Sequence, residues 1–297
     1  MKVEVKKIDA TRRELKFQIS KDRVSKKLEE IYVDIGKEAK IKGFRPGKAP
    51  RHLIESNYSK LAQEETLKKI IPEVYREAVE NEKLAPIDLP EIEDVSFKDG
   101  TVSFTAKLDI KPDVKIKDYK GIPIQKKSSA VTEEEIAKTF EFFKKGQGKE
   151  KELTIDDEFA RGLGYVGLDD FKNSLKRQME VDKDRQNRLD VENQVVEYLL
   201  KNAQLSVPQT AVKKQVDYRL SENRRHFEQH GQKKEDIDKK LDEMRKDLEA
   251  VSEKDVKVYF ILDKIAELEN ISVTENENAF HKVMGFLLKE AKWEGEK

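Results

Sequence analysis

An α+β domain followed by an all-α one is the architecture this sequence predicts, and three observations carry that prediction. Apolar and polar residues alternate through Val3, Val5 and Ile8, through Leu15, Phe17 and Ile19, and again through Val102, Phe104, Ala106, Leu108 and Ile110. Between these runs the apolar spacing changes to three and four, the period of a helix. Beyond about residue 160 helical spacing is the dominant pattern, so the sheet is confined to the N-terminal part.

The elements follow in order. Two strands are joined around Asp9–Arg12, and Ser20 then precedes a helix through Val24, Leu28, Ile31, Ile35 and Ala39 that is expected to end at Gly43. After a loop, Leu53, Ile54 and Tyr58 open a short helix. Leu61, Leu67, Ile70, Ile71, Val74, Tyr75 and Val79 continue the helical period towards Pro86. Val95 and Phe97 lead into a hairpin at Lys98-Asp99-Gly100, completing β-β-α-α-α-β-β on a small antiparallel sheet.

Residues 1–112 therefore read as one domain and 113–160 as a linker, extended around Pro112, Gly121 and Pro123. Thr132 with Glu135 is a capping box for a short helix through Ile136, Phe140 and Phe143, which stops at Gly146-Gln147-Gly148. Residues 161–297 read as a helical domain. Its first helix runs from Phe171 and Leu175 to about Asn202 and is polar all round from Asp182 to Arg188, which suits a spacer between packed bodies. Pro208 opens a helix with the narrow stripe Val212, Val216 and Leu220, and Gly231 breaks it. The returning stripe is Ile237, Leu241, Met244 and Leu248, making a helical hairpin. Ser252 with Asp255 is expected to cap a separate helix through Val256, Phe260, Leu262 and Ile265. Thr274 with Glu277 is expected to cap the last, through Phe280, Val283, Met284 and Leu287.

Composition excludes several classes. Charged residues make up 40% of the 297 and balance to zero, so neither a bulk anionic nor a bulk cationic partner is implied. With no cysteine there are no disulfides or thiolate metal sites. No apolar run reaches the roughly 20 residues that span a bilayer, and the start lacks a signal-peptide core, so a cytoplasmic protein is expected. Gly162-Leu-Gly164-Tyr-Val-Gly167 matches a dinucleotide fingerprint in letters, but charged residues precede it where an apolar strand is needed; a loop leading into a helix is the better reading. His226 and His230 share a helical spacing without a third ligand, so no metal or other cofactor is expected.

One stretch stands apart: Gly43-Phe44-Arg45-Pro46-Gly47-Lys48-Ala49-Pro50. Glycines that permit positive φ and prolines that fix it make a stiff, shaped loop. Its tip, Phe44 and Arg45, is either an apolar-plus-charged anchor for another macromolecule or a turn whose Phe44 folds back into the core. Lys37, Lys40, Lys42, Arg45, Lys48 and Arg51 surround it with only Glu38 as an acid, a patch that could meet phosphates or simply be solvated.

These residues resemble the trigger factor family of bacterial ribosome-associated chaperones. The octapeptide is similar to that family's ribosome-docking signature, with further likeness at Val131-Thr132-Glu133-Glu134-Glu135 and Val207-Pro208-Gln209. The resemblance implies that Gly43, Phe44, Arg45, Pro46, Gly47 and Lys48 dock at the polypeptide exit of the large ribosomal subunit. Phe44 and Arg45 would meet a ribosomal protein, and Lys48 with Lys37, Lys40, Lys42 and Arg51 would meet rRNA.

It further implies an ATP-independent chaperone for nascent or unfolded chains, assisting folding and export. On that reading Met244 and Met284 are adaptable client contacts. Two departures matter. The family's FK506-binding-protein-like prolyl isomerase domain has no room between Gly146 and Thr154, so a non-enzyme is expected. The family also has further helices beyond the place of Phe280–Trp293, which bears on the second helical arm. The rival readings are a prolyl isomerase, as in full-length members, and a ribosome-assembly or RNA-binding factor. Exposed apolar stripes would suit a homodimer.

Overall fold

A computed structural model describes residues 1–45, 47–146, 155–272 and 278–295, the side chains of 143–146 excepted. Four strands form an antiparallel sheet in the order β1-β2-β4-β3: β1 (Lys2–Lys7), β2 (Arg12–Ile19), β3 (Glu91–Lys98) and β4 (Thr101–Asp109). Alternation decides which face is buried. Leu15, Phe17 and Ile19 of β2 lie opposite Ala106, Phe104 and Val102 of β4, all buried on one side. Phe17 and Phe104 stack at 4.4 Å between ring centroids. The Asp9 carboxylate shapes the first turn by accepting from the Thr11 and Arg12 N–H groups at 2.8 and 2.7 Å, which holds its pKa below the ordinary value. Asp99 and Gly100, both at positive φ, close the second hairpin.

Helix α1 (Lys21–Glu38) and helix α2 (Arg51–Asn81) cover this sheet. Val24 of α1 and Ile70, Val74 and Ala78 of α2 complete its core. The Arg23 guanidinium joins them on the surface, bonding Glu77 at 2.7 Å and Glu73 at 2.6 Å. Two boundaries differ from the sequence reading. Helix α1 stops at Glu38 rather than at Gly43, because Ala39 turns extended and buries its side chain. The two expected helices after the loop run on as α2, broken only at Tyr58 (φ −120°, ψ 16°).

The chain divides into two compact units, Met1–Val114 with Leu205–Lys257, and Lys115–Gln204 with Val258–Lys297. In the first, helix α6 (Gln209–Gln229) buries Val212, Val216 and Leu220, and Ile237 and Leu241 are buried on the returning helix. That helix, α7 (Lys234–Leu268), is continuous where two helices were expected. Neither glycine nor proline lies within it, so nothing stops it at Ser252. Asp255 pairs instead with Arg219 of α6, while Ser252 is fully buried with its hydroxyl unpartnered.

The second unit holds helices α3 (Glu133–Gly146), α4 (Asp157–Gly162), α5 (Leu168–Asn202) and α8 (Ala279–Lys289) with the end of α7, and α3, α4 and α8 each contact α5. The expected capping box is present: the Thr132 N–H donates to Glu135 at 2.9 Å and the Glu135 N–H to Thr132 Oγ1 at 3.3 Å. A further bond from Lys183 pulls the Glu135 pKa down to about 2. Phe171 of α5 gathers Phe140, Phe159 and Tyr165 around it at 5.1–6.0 Å. Asn278 caps α8, while Thr274, Glu277, Gln147 and Gly148 lie outside the described residues.

The polar centre of α5 is exposed on one side, at Asp182, Arg185, Gln186 and Arg188, and on the other it bonds the segment before α3. Asp184 accepts from Ser129, Asn187 donates to the Lys127 carbonyl, and Lys183 bonds Glu135 and the Ala130 carbonyl. The linker is likewise more ordered than expected, since Ile122 and Ile124 are fully buried. It forms β5 (Lys115–Ile116), antiparallel to β7 (Ala203–Gln204), and β6 (Pro123–Gln125), parallel to β8 (Lys292–Glu294).

The unpartnered Ser252 hydroxyl generates a test. Ser252→Ala removes a buried group without a hydrogen bond and adds helix propensity, so it is expected to raise unfolding stability by about 1 kcal/mol. A urea titration followed by circular dichroism checks the sign and size.

Candidate functional site

The Gly43–Pro50 loop joins α1 to α2, and each of its ends is anchored. Beneath it Ile31, Tyr32, Ile54 and Ala62 form a cluster, joined by Leu28, Ile35, Ile41, Ala49 and Tyr58. Gly36 lets the two helices approach: a Cβ there would lie 3.1 Å from Ile54 Cδ1. The Tyr58 hydroxyl then clamps the strand entering the loop, accepting from the Lys40 N–H and donating to the Lys40 carbonyl, both at 3.2 Å. Because Tyr58 stands at the break in α2, its side chain reaches across instead of following the helix. Ser56 and Asn57 bond the Leu53 carbonyl just before that break.

Gly43 (φ +87°) and Gly47 (φ +80°) turn the chain on either side of the tip. Space is not what requires glycine at these positions: a Cβ on Gly43 would meet nothing within 4 Å, and one on Gly47 would meet only the Lys37 carbonyl at 3.8 Å. Backbone conformation is, since a side chain at positive φ costs roughly 1–2 kcal/mol. Hydrogen bonds from Phe44 N–H to the Ile41 carbonyl at 3.1 Å and from Lys48 N–H to the Arg45 carbonyl at 3.0 Å close two turns. Phe44 is 41% exposed and outside the cluster beneath the loop, which decides against the fold-back reading of the turn. Arg45 and Lys48 are exposed beside it; Pro46 lies outside the described residues.

The cations around the loop separate into two kinds. Lys37 bonds Asp34 at 2.9 Å, lowering the Asp34 pKa, and Arg51 stacks over the Tyr32 ring at 4.5 Å while bonding Glu55 at 2.6 Å. Among the described residues Lys40, Lys42, Arg45 and Lys48 make no ion pair. These four face solvent as free charge, whereas Lys37 and Arg51 would have to exchange a partner to meet a phosphate.

The chain matches two family models, described as "Bacterial trigger factor protein (TF)" over residues 1–142 and "Bacterial trigger factor protein (TF) C-terminus" over residues 167–281. This chain belongs to the trigger factor family. A trigger factor of Halothermothrix orenii is 25% identical over 377 aligned residues, covering 93% of this chain and 88% of its own length. One of Desulfatibacillum aliphaticivorans is 25% identical over 379, covering 94% and 86%. One of Anaeromyxobacter sp. is 32% identical over 142, covering 46% and 32%. Alignments of 377 and 379 positions exceed the 297 residues available here, so a small domain's worth of positions in those relatives has no counterpart. A solved trigger factor chaperone structure, described by the words "promiscuous substrate recognition in folding and assembly activities", shares the fold with a TM-score of 0.61. It is 15% identical and covers 98% of this chain and all of that one. Membership of this family implies a ribosome-associated chaperone.

The remaining sequence-derived positions lie elsewhere. Met284 is buried in the second unit, closed off from any surface, and Met244 is half-buried on α7. Exposed apolar side chains that the stripe pattern did not single out include Tyr218 on α6 and Val251 on α7, both of which lie off the buried spacing. The Gly162–Gly167 motif is the turn between α4 and α5. His226 and His230 are neighbours at 4.3 Å between rings, and no group of metal-binding side chains occurs among the described residues. No described helix is long and apolar enough to cross a membrane. Gly36 was not singled out from sequence, and Tyr58 was read only as part of a short helix; a glycine inside a helical pattern is the one signal that could have found Gly36.

Tyr58→Phe deletes only the clamp hydroxyl. Losing about 1 kcal/mol of hydrogen bonding is expected to speed exchange of the Lys40 amide about fivefold while global stability changes little. Amide exchange resolved by NMR reads both.

Proposed function

We propose that this chain is an ATP-independent cytoplasmic chaperone that docks at the polypeptide exit of the large ribosomal subunit through the Gly43–Lys48 loop. The observation that carries the proposal is the exposed Phe44–Arg45 tip, held between two positive-φ glycines and clamped from behind by Tyr58. A preshaped loop loses little entropy on docking, so an aromatic and an arginine there can act as the anchor of a small interface. The free charges of Lys40, Lys42 and Lys48 supply a sequence-independent attraction for rRNA, with Lys37 and Arg51 adding to it once their own partners exchange.

Bound at the exit, the protein would shelter emerging or unfolded polypeptides. Exposed apolar positions on the hairpin, Tyr218 and Val251 with the half-buried Met244, offer scattered contacts suited to varied clients. Met284 would join them only if the helix carrying it opened. Folding and export of those clients would be the outcome, with release by weak binding. We further propose that the chain does not catalyse prolyl isomerisation. What supports this is the shortfall against the aligned length of the relatives and the short interval between the two matched regions.

Co-sedimentation with ribosomes tests the docking proposal. Replacing both anchor residues, Phe44→Ala with Arg45→Ala, is expected to weaken binding at least tenfold with no change in the circular dichroism spectrum. Binding equal to wild type would refute it.

A further inference from the structure

Strand β8 covers one edge of β6 through backbone pairing, with Trp293 about half exposed and the Lys292 side chain lying over Gly121. It runs parallel to β6, with Trp293 opposite Ile124, and all three of its residues are exposed. Backbone groups hold it. The Lys292 N–H donates to the Ile122 carbonyl at 2.9 Å, and the Lys126 N–H donates to the Glu294 carbonyl at 3.2 Å. Beneath, β6 is fixed: Ile122 and Ile124 are fully buried. Its other edge is closed by Gln194 of α5, whose side-chain amide accepts from the Gln125 N–H at 2.8 Å and donates to the Gln125 carbonyl at 2.9 Å. One edge is thus capped by a side chain of a long helix, and the other by a strand that can leave.

The strand's own length argues that it can. A two-stranded ribbon is marginal in water, and parallel pairing is slightly weaker than antiparallel. Past Glu294 the chain squeezes by at Gly295 (φ +137°), where a Cβ would lie 2.8 Å from the Lys126 carbonyl oxygen. Alongside, a cavity of about 630 Å³ lined by Lys126–Ser129, Asp184 and Trp293–Gly295 leaves the end of β8 loosely surrounded.

We propose that the β6 edge is a strand-addition site for an extended segment of unfolded polypeptide, and that β8 is an intramolecular occupant that competes for it. The proposal rests on the chaperone reading above and gives it a binding mode. The seated β8 shows what fits: an extended, parallel segment that offers an N–H to the Ile122 carbonyl and a carbonyl to the Lys126 N–H. Every residue except proline carries both groups, so such a site accepts many sequences and rejects proline at the pairing positions. Apparent affinity is reduced by the fraction of time β8 is seated, which sets a threshold against weak or folded ligands.

The full chain reports on itself, because Trp293 is its single tryptophan. Two variants release β8 by separate routes: Gly295→Ala through the clash with Lys126, and Lys292→Pro through loss of the N–H given to Ile122. The probe is a fluorescein-labelled peptide of alternating valine and threonine, without tryptophan or proline. Both variants are expected to show a shifted Trp293 emission and to bind the peptide on the order of tenfold tighter, as for a strand seated about nine-tenths of the time. Saturating peptide should drive the wild-type emission to the same value, and a version with proline at alternate positions should not. Shifted emission with affinities within twofold of wild type would overturn the proposal, as would unshifted emission in both variants. Suppression of aggregation of an unfolded protein by the wild type, measured in parallel, separates the two levels. If it persists, only the strand-addition site falls; if it is absent, the chaperone reading falls with it.

Discussion

The close pairing of α1 with α2 is the constraint on which the loop's shape depends. Gly36 brings the helices together against Ile54, the break at Tyr58 frees its ring to reach back, and the hydroxyl ties both backbone groups of Lys40. With that strand fixed, two left-handed glycines decide where the tip points, and Phe44 is left exposed although an apolar cluster lies directly beneath. A phenylalanine with a buried site so near remains outside only because the backbone around it is over-determined. Docking would therefore depend on stiffness: α1, α2 and the sheet share one packed core, and the loop is held in shape at the α1–α2 end.

Much of this was legible in the sequence wherever the determinants are local. The Thr132–Glu135 box, the Asp99-Gly100 hairpin and the alternation of β2 and β4 each lie within a few residues and fold as read. The loop's place was readable for the same reason, whereas its tip stood between an anchor and a folded-back turn until the exposure of Phe44 separated them. Which of its cations are free was not, because Lys37 is occupied by Asp34 and Arg51 by Tyr32 and Glu55, pairings that depend on how the helices pack.

Long-range closure defeated pattern reading elsewhere. Strands of two or three residues, such as β6 against β8, carry no periodicity of their own, and their partners are far away in the chain. The bonded face of the polar middle of α5 was not legible, because its partners, Ser129, Lys127 and Glu135, bond through polar groups that hydrophobic spacing cannot register. Ser252 resembled a helix cap until the absence of any breaker let α7 continue, leaving the hydroxyl buried and unpartnered. Met284 was read as a client contact, yet it lies on the apolar stripe of α8 with Val283 and Leu287, and that spacing buries it.

If the preshaped loop anchors the contact, the charge around it adds attraction but does not suffice alone. Hydrogen–deuterium exchange of the full chain, with and without purified large ribosomal subunits at raised salt, tests this most directly. Protection is expected to concentrate between residues 40 and 50 and to survive salt, since an aromatic anchor is unscreened while phosphate contacts weaken. Protection elsewhere with none in the loop, or protection that vanishes once salt is raised, would contradict it.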